Sequence, residues 1–481
     1  MKRQLLIVLV AAMAALSAAQ SAATSTLVDI GTLGGTDSRA MAGNEAGVVV
    51  GQSETVTGDT HAILWANGVM TDLGTLGGAV SQGAALNDAG EAVGSSETST
   101  GDSHAFLWAN GVMTDLGTLG GNTSRASAVN TAGQVVGTSS TATGGSHAFL
   151  WENGVMTDLG TLGGSFSQAM AINPTGQVIG RSLTALGDNH AFLWENGVMT
   201  DLGTLGGSFS QAMAINISGQ VVGESRTASG DTHAFLWSNG VMTDLGTLGG
   251  NYSTAPAVNA AGQVVGTSQT TFGEFRAFLW ENGVMMDLGT LGLASQAYAI
   301  NDSGQVAGWS NLPTSSLRAF LWENGVMTDL GTIGGNYSRA FDINNAGQVI
   351  GISQTATGEI HGFISNSTLS VVIDIKPGNP QNSINPRDQG VIQVAILTTS
   401  TFDATTVDPA TVLFGATGNE AVPVFDALKD VDHDGALDMI LHFRTEETAI
   451  ACGATSALLT GETSGGQAIE GTDAVGTVGC Q

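Results

Sequence analysis

One sequence segment returns about every 43 residues along most of this chain, and its most regular copies read HAFLWENGVMTDLGTLGG. The residue that opens the segment is His61, His104, His147, His190, His233 or His361, with Arg276 and Arg318 at the same position of two copies. Successive spacings are 43 residues, with one of 42, so the repeat keeps a fixed register. A period of roughly 40–45 residues is that of one four-stranded blade of a β-propeller. The repeat therefore predicts an all-β propeller.

Each copy divides into four apolar runs separated by turn signals. In one copy the runs cover 210–216, 220–225, 233–238 and 241–247. Asn239-Gly240 joins the last two, and an Asn-Gly pair supplies the positive φ angles of a type I′ hairpin turn. Runs such as AFLW lack alternation, which is typical of strands buried on both faces, so neighbouring copies must cover each sheet. A linear β-solenoid is the alternative, but its coils are shorter and lack three hairpin turns per repeat.

The phase of the array predicts how it ends. The array opens at 26–35 with only a fourth strand, and it finishes at 338–365 with a first, second and third strand. An N-terminal fourth strand would complete the last blade and close the ring. We expect eight blades over 26–368, with seven blades or an open array as the alternatives.

The first 23 residues have the pattern of a secretory signal peptide. Lys2 and Arg3 precede an apolar stretch from Leu5 to Leu16, and small residues follow. Cleavage after Ala19 or after Ala23 fits equally well. The stretch is too short for a membrane span. We therefore expect a protein that is extracellular, periplasmic or at the cell surface, without a membrane span in the mature chain.

The formal net charge of −29 limits the classes of partner. So acidic a surface repels phosphate backbones and anionic lipid, which argues against nucleic-acid or membrane-surface binding. An extracellular glycan or protein ligand remains compatible with it. Cys452 and Cys480 are the only cysteines, and in an exported protein such a pair predicts a disulfide.

A histidine in most copies suggests a metal site, but the chain itself argues against one. Arg276 and Arg318 occupy the same position, and a guanidinium has no lone pair to offer a metal. An acid usually stands two residues earlier, at Asp59, Asp102, Asp188, Asp231, Glu274 and Glu359. We expect a structural pairing here. The Asp of DLGT is predicted to bond a turn or strand end, and the repeated Trp is predicted to pack between blades.

The segment after each GTLGG is where the copies differ most. In a propeller it is expected to link one blade to the next at the mouth of the central channel, where ligands commonly bind. The candidate ligand-binding residues are Arg39, Gln82, Arg125, Phe166, Gln168, Phe209, Gln211, Tyr252, Tyr337 and Arg339. Neutral drift of an exposed loop is the alternative. Catalysis needs different groups that converge at one point, and repetition keeps the candidates equivalent, so we predict no enzyme.

The repeat stops before Val371, and residues 371–481 predict a small β-rich domain that resembles a sandwich. Its DVDHDGALD segment has the spacing of a calcium loop, with Asp430, Asp432, Asp434, Ala436 (through its carbonyl) and Asp438 as candidate ligands. Gly435 permits the sharp turn. Position 12 is Leu441, where an EF-hand needs glutamate, and a strand-like segment follows. We expect a structural calcium site of non-EF-hand type, or else an empty acidic turn.

The repeat resembles the HAF-repeat family of extracellular bacterial proteins, named for the His-Ala-Phe at 104–106, 147–149, 190–192 and 233–235. The resemblance covers about residues 26–365, where the Asn-Gly turn, DLGTLGG and A-x-x-N-x-x-G-Q-V-x-G recur in order. It implies export and a propeller-like array, but no activity. The segment from IDIKPG to LTGET resembles a module that many secreted bacterial proteins carry, whose copies often hold further cysteines.

These observations favour a secreted, non-catalytic binding or surface-interaction protein, with a glycan or peptide bound at the channel rim. Two alternatives stay open. One is a purely structural extracellular repeat protein, and the other is a secreted polysaccharide hydrolase or lyase.

Overall fold

The structure is a computed structural model that describes residues 26–366, 369–399, 402–464 and 468–480. The predicted signal segment, 1–23, lies outside the described residues. Two compact units divide the rest, a repeat unit from Thr26 to Asn366 and a C-terminal unit from Ser367 to Gln481. Within the described residues, no helix has the length and apolarity needed to cross a membrane.

The repeat unit consists of short β-strands joined by tight turns. Its strands are β1 (Thr26–Asp29), β2 (Gly34–Gly43), β3 (Val49–Thr55), β4 (Thr60–Ala66), β5 (Val69–Asp72), β6 (Gly77–Leu86), β7 (Ala92–Thr98), β8 (Ser103–Ala109), β9 (Val112–Asp115), β10 (Gly120–Val129), β11 (Val135–Thr141), β12 (Ser146–Glu152), β13 (Val155–Asp158), β14 (Gly163–Ile172), β15 (Val178–Thr184), β16 (Asn189–Glu195), β17 (Val198–Gly203), β18 (Gly206–Ile215), β19 (Val221–Thr227), β20 (Thr232–Ser238), β21 (Val241–Asp244), β22 (Gly249–Val258), β23 (Val264–Thr270), β24 (Phe275–Glu281), β25 (Val284–Asp287), β26 (Ser295–Ile300), β27 (Val306–Asn311), β28 (Leu317–Glu323), β29 (Val326–Asp329), β30 (Gly334–Ile343), β31 (Val349–Thr355) and β32 (Ile360–Asn366).

These strands pair in sets of four, one set for each copy of the repeat. The first set is β2–β5, the next sets follow in order to β26–β29, and all the pairs within a set are antiparallel. The eighth set contains β30, β31 and β32, and its fourth strand is β1, which pairs antiparallel with β32. The N-terminal strand thus fills the position that the last repeat lacks.

Local sequence accounts for the turns and for the strand lengths. Asn239 and Gly240 have φ angles of 51° and 84°, as the type I′ hairpin between β20 and β21 requires. The first strand of a set is longer than the apolar run predicts. β18 begins at Gly206, so the variable residues after GTLGG lie within the strand and not in a linking loop.

Buried asparagine side chains join each set to the next. The amide Nδ2 of one asparagine donates to the backbone carbonyl of the asparagine one repeat later, in eight hydrogen bonds of 3.0–3.2 Å. The members of this asparagine ring are Asn44, Asn87, Asn130, Asn173, Asn216, Asn259, Asn301 and Asn344. The last bond runs from Asn344 to the carbonyl of Asn44, so the series returns to its first member.

Buried serines form a second series of links between sets. The backbone N–H of Ala62, on a third strand, donates to the hydroxyl of Ser81, on the first strand of the next set. Eight equivalent bonds have lengths of 2.8–3.1 Å, and the last runs from Gly362 of the eighth set to Ser38 of the first. We call this series the serine ring. It too returns to its start.

The apolar core lies between successive sets. Phe106 of the second set is fully buried against Val50 and Leu64 of the first, and the same packing recurs along the array. The eighth set meets the first through Ile350 and Ile364. These contacts cover the two apolar faces that each sheet presents.

The meeting of the eighth and first sets has its own residues. Gly43 replaces the large apolar residue found at the end of the other first strands, and a Cβ at Gly43 would collide with the Ile350 side chain. The Asp342 carboxylate accepts a hydrogen bond of 3.0 Å from the Gly43 N–H. Burial raises the pKa of Asp342.

The C-terminal unit contains two four-stranded sheets around one apolar core. Its strands are β33 (Leu369–Ser370), β34 (Ile373–Ile375), β35 (Ser383–Ile384), β36 (Val391–Ile396), β37 (Val407–Gly415), β38 (Pro423–Lys429), β39 (Asp438–Arg444), β40 (Ser456–Thr463), β41 (Ala468–Ala474) and β42 (Gly476–Thr477), with 3-10 turns at Ala404–Thr406 and Thr445–Glu447. One sheet has the order β33-β41-β40-β37 and the other β34-β36-β39-β38. Phe414 and Phe443, one from each sheet, meet at 5.1 Å between ring centroids. Cys452 and Cys480 form a disulfide.

Asn344→Asp tests the last link of the asparagine ring. The aspartate keeps an oxygen for the Gln348 N–H but has no donor for the buried carbonyl of Asn44. We expect a loss of about 1–3 kcal/mol in the free energy of unfolding, measured by chemical denaturation. Asn216→Asp, in the middle of the array, should lose a similar amount, and Asn122→Asp, at an exposed position, should change little. If Asn344→Asp behaves like Asn122→Asp, the eighth and first sets are not joined.

Candidate functional site

The repeated histidines are structural groups that bridge the third and fourth strands of a set. The Nδ1–H of His147 donates to the carboxylate of Asp158, the Asp of DLGT, at 2.8 Å. All six histidines make this bond at 2.8–2.9 Å, and His361 makes it with Asp29 of the N-terminal strand. The carboxylate also accepts from the glycine N–H two residues later, as in Asp158 and Gly160. The carboxylate is thereby shared between the histidine and the turn.

The partner of the histidine differs from the one that the sequence suggests. The acid two residues before His61 is Asp59, and it accepts from the Thr57 hydroxyl at 2.8 Å instead. That acid pairs with the repeat position only where arginine replaces histidine, as Glu274 does with Arg276 at 2.6 Å. Arg318 lies 3.7 Å from Asp329, the Asp of DLGT. The longer arginine reaches either acid, whereas histidine reaches only the acid on the next strand.

Residues on the first and second strands of each set form one continuous surface, which we call the inner face. First strands contact each other in order around the array, and β2 contacts β30. The inner face consists of eight cross-strand pairs: Arg39 with Gln52, Gln82 with Ser95, Arg125 with Thr138, Gln168 with Arg181, Gln211 with Glu224, Thr254 with Thr267, Gln296 with Trp309, and Arg339 with Ile352. Directly paired residues project from the same face of a sheet. Fourteen of the sixteen reach solvent.

The sequence predicted the first member of six of these pairs and none of the second members. The second member stands between the Gly and the Ser of a G-x-S segment that every second strand contains, as Trp309 does in VAGWS. One variable residue inside an otherwise constant segment was the sequence signal that could have identified these second members. Trp309 does not belong to the repeated Trp position. The tryptophans at that position pack against the apolar core between successive sets.

Arg339, on the inner face, lies among three aromatic side chains. Its guanidinium carbon lies 5.0 Å from the ring centroid of Tyr298 and 5.7 Å from those of Trp309 and Phe341. Arg339 donates to the Tyr298 hydroxyl, which also accepts from the indole N–H of Trp309 at 3.2 Å and donates to Gln296. The Nε of Arg339 is buried and has no partner among the described residues.

Glu224 is the only acid among the sixteen inner-face residues. Burial raises the pKa of Glu224, although a hydrogen bond from the Thr254 side chain opposes the shift. Burial raises the pKa of Tyr252 as well, and the nearby charge of Glu224 adds to that shift. The inner face therefore has one acidic position, at Glu224, and none in the other seven sets.

The four aromatic residues predicted to rim a channel lie at the boundary between sets. Phe166 pairs in parallel with Ser146 and Phe209 with Asn189, each on the third strand of the preceding set. Tyr252 has the same pairing with Thr232 and packs edge-on against Phe275 at 5.8 Å. The equivalent residue of the eighth set is Tyr337. Phe166 contacts an inner-face residue, since Arg181 lies 5.4 Å from its ring centroid.

The acidic loop of the C-terminal unit brings three of its carboxylates together. Oxygen atoms of Asp430, Asp432 and Asp434 lie within 4.8 Å of one another. Asp438 is fully buried, and its two oxygens accept from the backbone N–H groups of Thr398 and Val431 at 2.8 Å. Asp438 therefore fixes the loop, and it does not belong to the cluster of three carboxylates. Ala436 donates its N–H to Asp434 at 2.8 Å.

No family model matches this chain, and no curated protein matches it. Several solved structures are similar at low identity. TolB from Acinetobacter baumannii has 9% identity and a TM-score of 0.31, over 57% of this chain and 63% of TolB. A puromycin-hydrolyzing peptidase from Mycobacterium tuberculosis has 12% identity and a TM-score of 0.40, over 69% of this chain and 61% of the peptidase. The chain thus spans about three fifths of these two proteins.

A third similar structure is the six-bladed β-propeller lectin of Aleuria aurantia, described for its fucose recognition. It has 11% identity and a TM-score of 0.25, over 65% of this chain and 98% of the lectin. None of these three TM-scores reaches 0.5, so the function rests on the geometry of the chain itself.

Glu224→Gln tests the electrostatics of the inner face. A raised pKa in the folded state means that the stabilising form of Glu224 is the protonated one, which is present below the usual value of 4.5 and lost as the pH rises above it. The glutamine cannot ionise. The free energy of unfolding of the natural protein, relative to that of Glu224→Gln, should fall as the pH rises from 4.5, measured by urea denaturation. A difference that is flat or rises with pH would contradict the assignment.

Proposed function

We propose that the repeat unit is an eight-bladed β-propeller closed by its N-terminal strand. The pairing of β1 with β32 supports this, and so do the asparagine and serine rings, since both return from the eighth set to the first. On this proposal the inner face lines the central channel.

We propose further that the protein is an exported, non-catalytic binding protein of the HAF-repeat type, with its ligand site on the inner face. One observation carries this proposal. The residues that hold the array together are the same in nearly every set, and the inner-face pairs differ from set to set. A ring with a purely structural role would not require Arg, Glu, Trp and Gln side chains at these positions. The signal-like segment at 1–23 and the disulfide support export.

The inner face offers recognition groups rather than a catalytic pair. Glu224 is its one carboxylate, and no histidine belongs to it. Most glycoside hydrolases need two carboxyl groups that flank the scissile bond. Amides, guanidinium groups and aromatic rings are the groups that hold a polar ligand in place.

Trp309→Ala tests the proposed site. We expect the natural protein to bind at least one ligand on combined glycan and peptide arrays, and the variant to bind it about tenfold more weakly, because a central aromatic anchor contributes over 1 kcal/mol to binding. Phe272→Ala is the matched control, since Phe272 is 89% exposed on a turn outside the inner face. Equal losses in the two variants, or no ligand for the natural protein, would contradict the site.

We also propose that the acidic loop of the C-terminal unit holds a structural calcium ion. Calcium prefers carboxylate oxygens, and Asp430, Asp432 and Asp434 place three of them together. Oδ1 of Asp430 is buried without a hydrogen-bond partner among the described residues, as a metal ligand would be. Gly435, with a φ of 96°, makes the turn that wraps the loop.

Thermal unfolding with calcium and with a chelator tests this site. Calcium at about a hundredfold excess over its Kd should stabilise the C-terminal unit by about 2.7 kcal/mol. Asp432→Asn should remove this effect, whereas Asp426→Asn, at an exposed acid on β38 outside the loop, should keep it. An unchanged melting temperature together with no calcium by elemental analysis would exclude the site.

A further inference from the structure

The inner face has the opposite charge to the rest of the repeat unit. Residues 26–366 hold 27 Asp and Glu and seven Arg, a formal charge of −20. Four of the seven arginines belong to the sixteen inner-face residues, with Glu224 as the only acid, so the inner face has a formal charge of +3. A basic surface enclosed by acidic ones attracts anions to that surface alone.

The four inner arginines also lack carboxylate partners. Arg276 and Arg318, on the third strands, pair with acids of their own sets. In contrast, none of Arg39, Arg125, Arg181 and Arg339 has a carboxylate within 4.0 Å among the described residues. The repeat unit has 27 acidic residues, so a shortage of acids does not explain why these four arginines lack carboxylate partners.

Two of the arginines, Arg339 and Arg181, have only neutral side chains as partners. Arg339 stands among three aromatic rings with a buried, unpartnered Nε. Arg181 lies over the ring of Phe166 and donates through Nε to the amide oxygen of Gln168 at 3.2 Å. A guanidinium presents five N–H donors in a plane, which suits a carboxylate bound in bidentate fashion. Neutral partners leave that capacity unused.

We propose that the inner face binds an acidic glycan, with sugar carboxylates on the inner arginines. This inference rests on the proposed binding function and names its ligand class. Trp309, half-buried beside Arg339, offers apolar surface to the C–H side of a sugar ring. The amides of Gln82, Gln168 and Gln211 offer both a donor and an acceptor for hydroxyl groups. An acidic peptide shares the carboxylates with an acidic glycan but has no sugar ring, so the test below includes one of each.

Titration calorimetry with tetragalacturonate, a neutral galactan tetrasaccharide and a polyglutamate peptide tests the proposal on the whole protein. Arg125→Gln is the main variant because the Arg125 side chain is exposed and makes no hydrogen bond among the described residues, so its loss should not disturb folding. Arg339→Gln is the second variant, and Arg276→Gln is the matched control on a third strand. Glu224→Gln changes the charge of the inner face in the opposite direction.

We expect tetragalacturonate to bind more tightly than the other two probes. Each inner Arg→Gln change should weaken that binding about tenfold, because a hydrogen bond to a charged group is lost. Arg276→Gln should leave it unchanged, and Glu224→Gln should strengthen it.

Other results would separate the two proposals. Equal binding of the neutral tetrasaccharide, unaffected by the arginine changes, would overturn the acidic ligand but keep the binding site. Preference for polyglutamate would overturn the glycan. No binding of any probe, with none on the arrays, would overturn the proposed function as well.

Discussion

A buried asparagine amide joins each set of strands to the next, and the rest of the repeat unit depends on this link. The Nδ2 donor and the carbonyl that it reaches are both shielded from water, so an unmade bond would leave two buried polar groups unpaired. The Oδ1 of the same side chain accepts from the backbone of its own turn, as in Asn216 and Gln220. One residue thus fixes a hairpin and its position against the neighbouring set.

This arrangement separates the framework from the surface that varies. None of the asparagines, the serines and the His–Asp pairs is an inner-face residue, so replacing an inner-face side chain removes none of these bonds. Glu224, Arg181 and Trp309 occupy equivalent positions in three sets whose backbones pair in the same register. The chain can therefore present a different group in each set at little cost in stability.

Much of the fold could be predicted from the sequence because the repeat period, the Asn-Gly turns and the apolar runs are visible without knowing which distant strands meet. Contacts between strands were harder to predict. The histidine partner lies across a hairpin, and the register of β12 with β13, which sets Phe149 opposite Asp158, brings His147 to that carboxylate. Asp438 has the spacing of a calcium ligand, but the position of β39 buries it against two N–H groups. Trp309 lacked a periodic pattern, and only strand pairing places it beside Gln296 and Arg339.

Hydrogen exchange of equivalent third-strand amides measures closure of the ring most directly. The amides of Ile63 in the first set, Phe192 in a middle set and Phe363 in the eighth occupy the same buried position. In a closed ring no set is terminal, so the three should exchange with similar protection, measured by mass spectrometry on the whole protein. In an open array the end sets fray. Much faster exchange at Ile63 and Phe363 than at Phe192 would contradict the closed ring and, with it, an inner face that is continuous around the array.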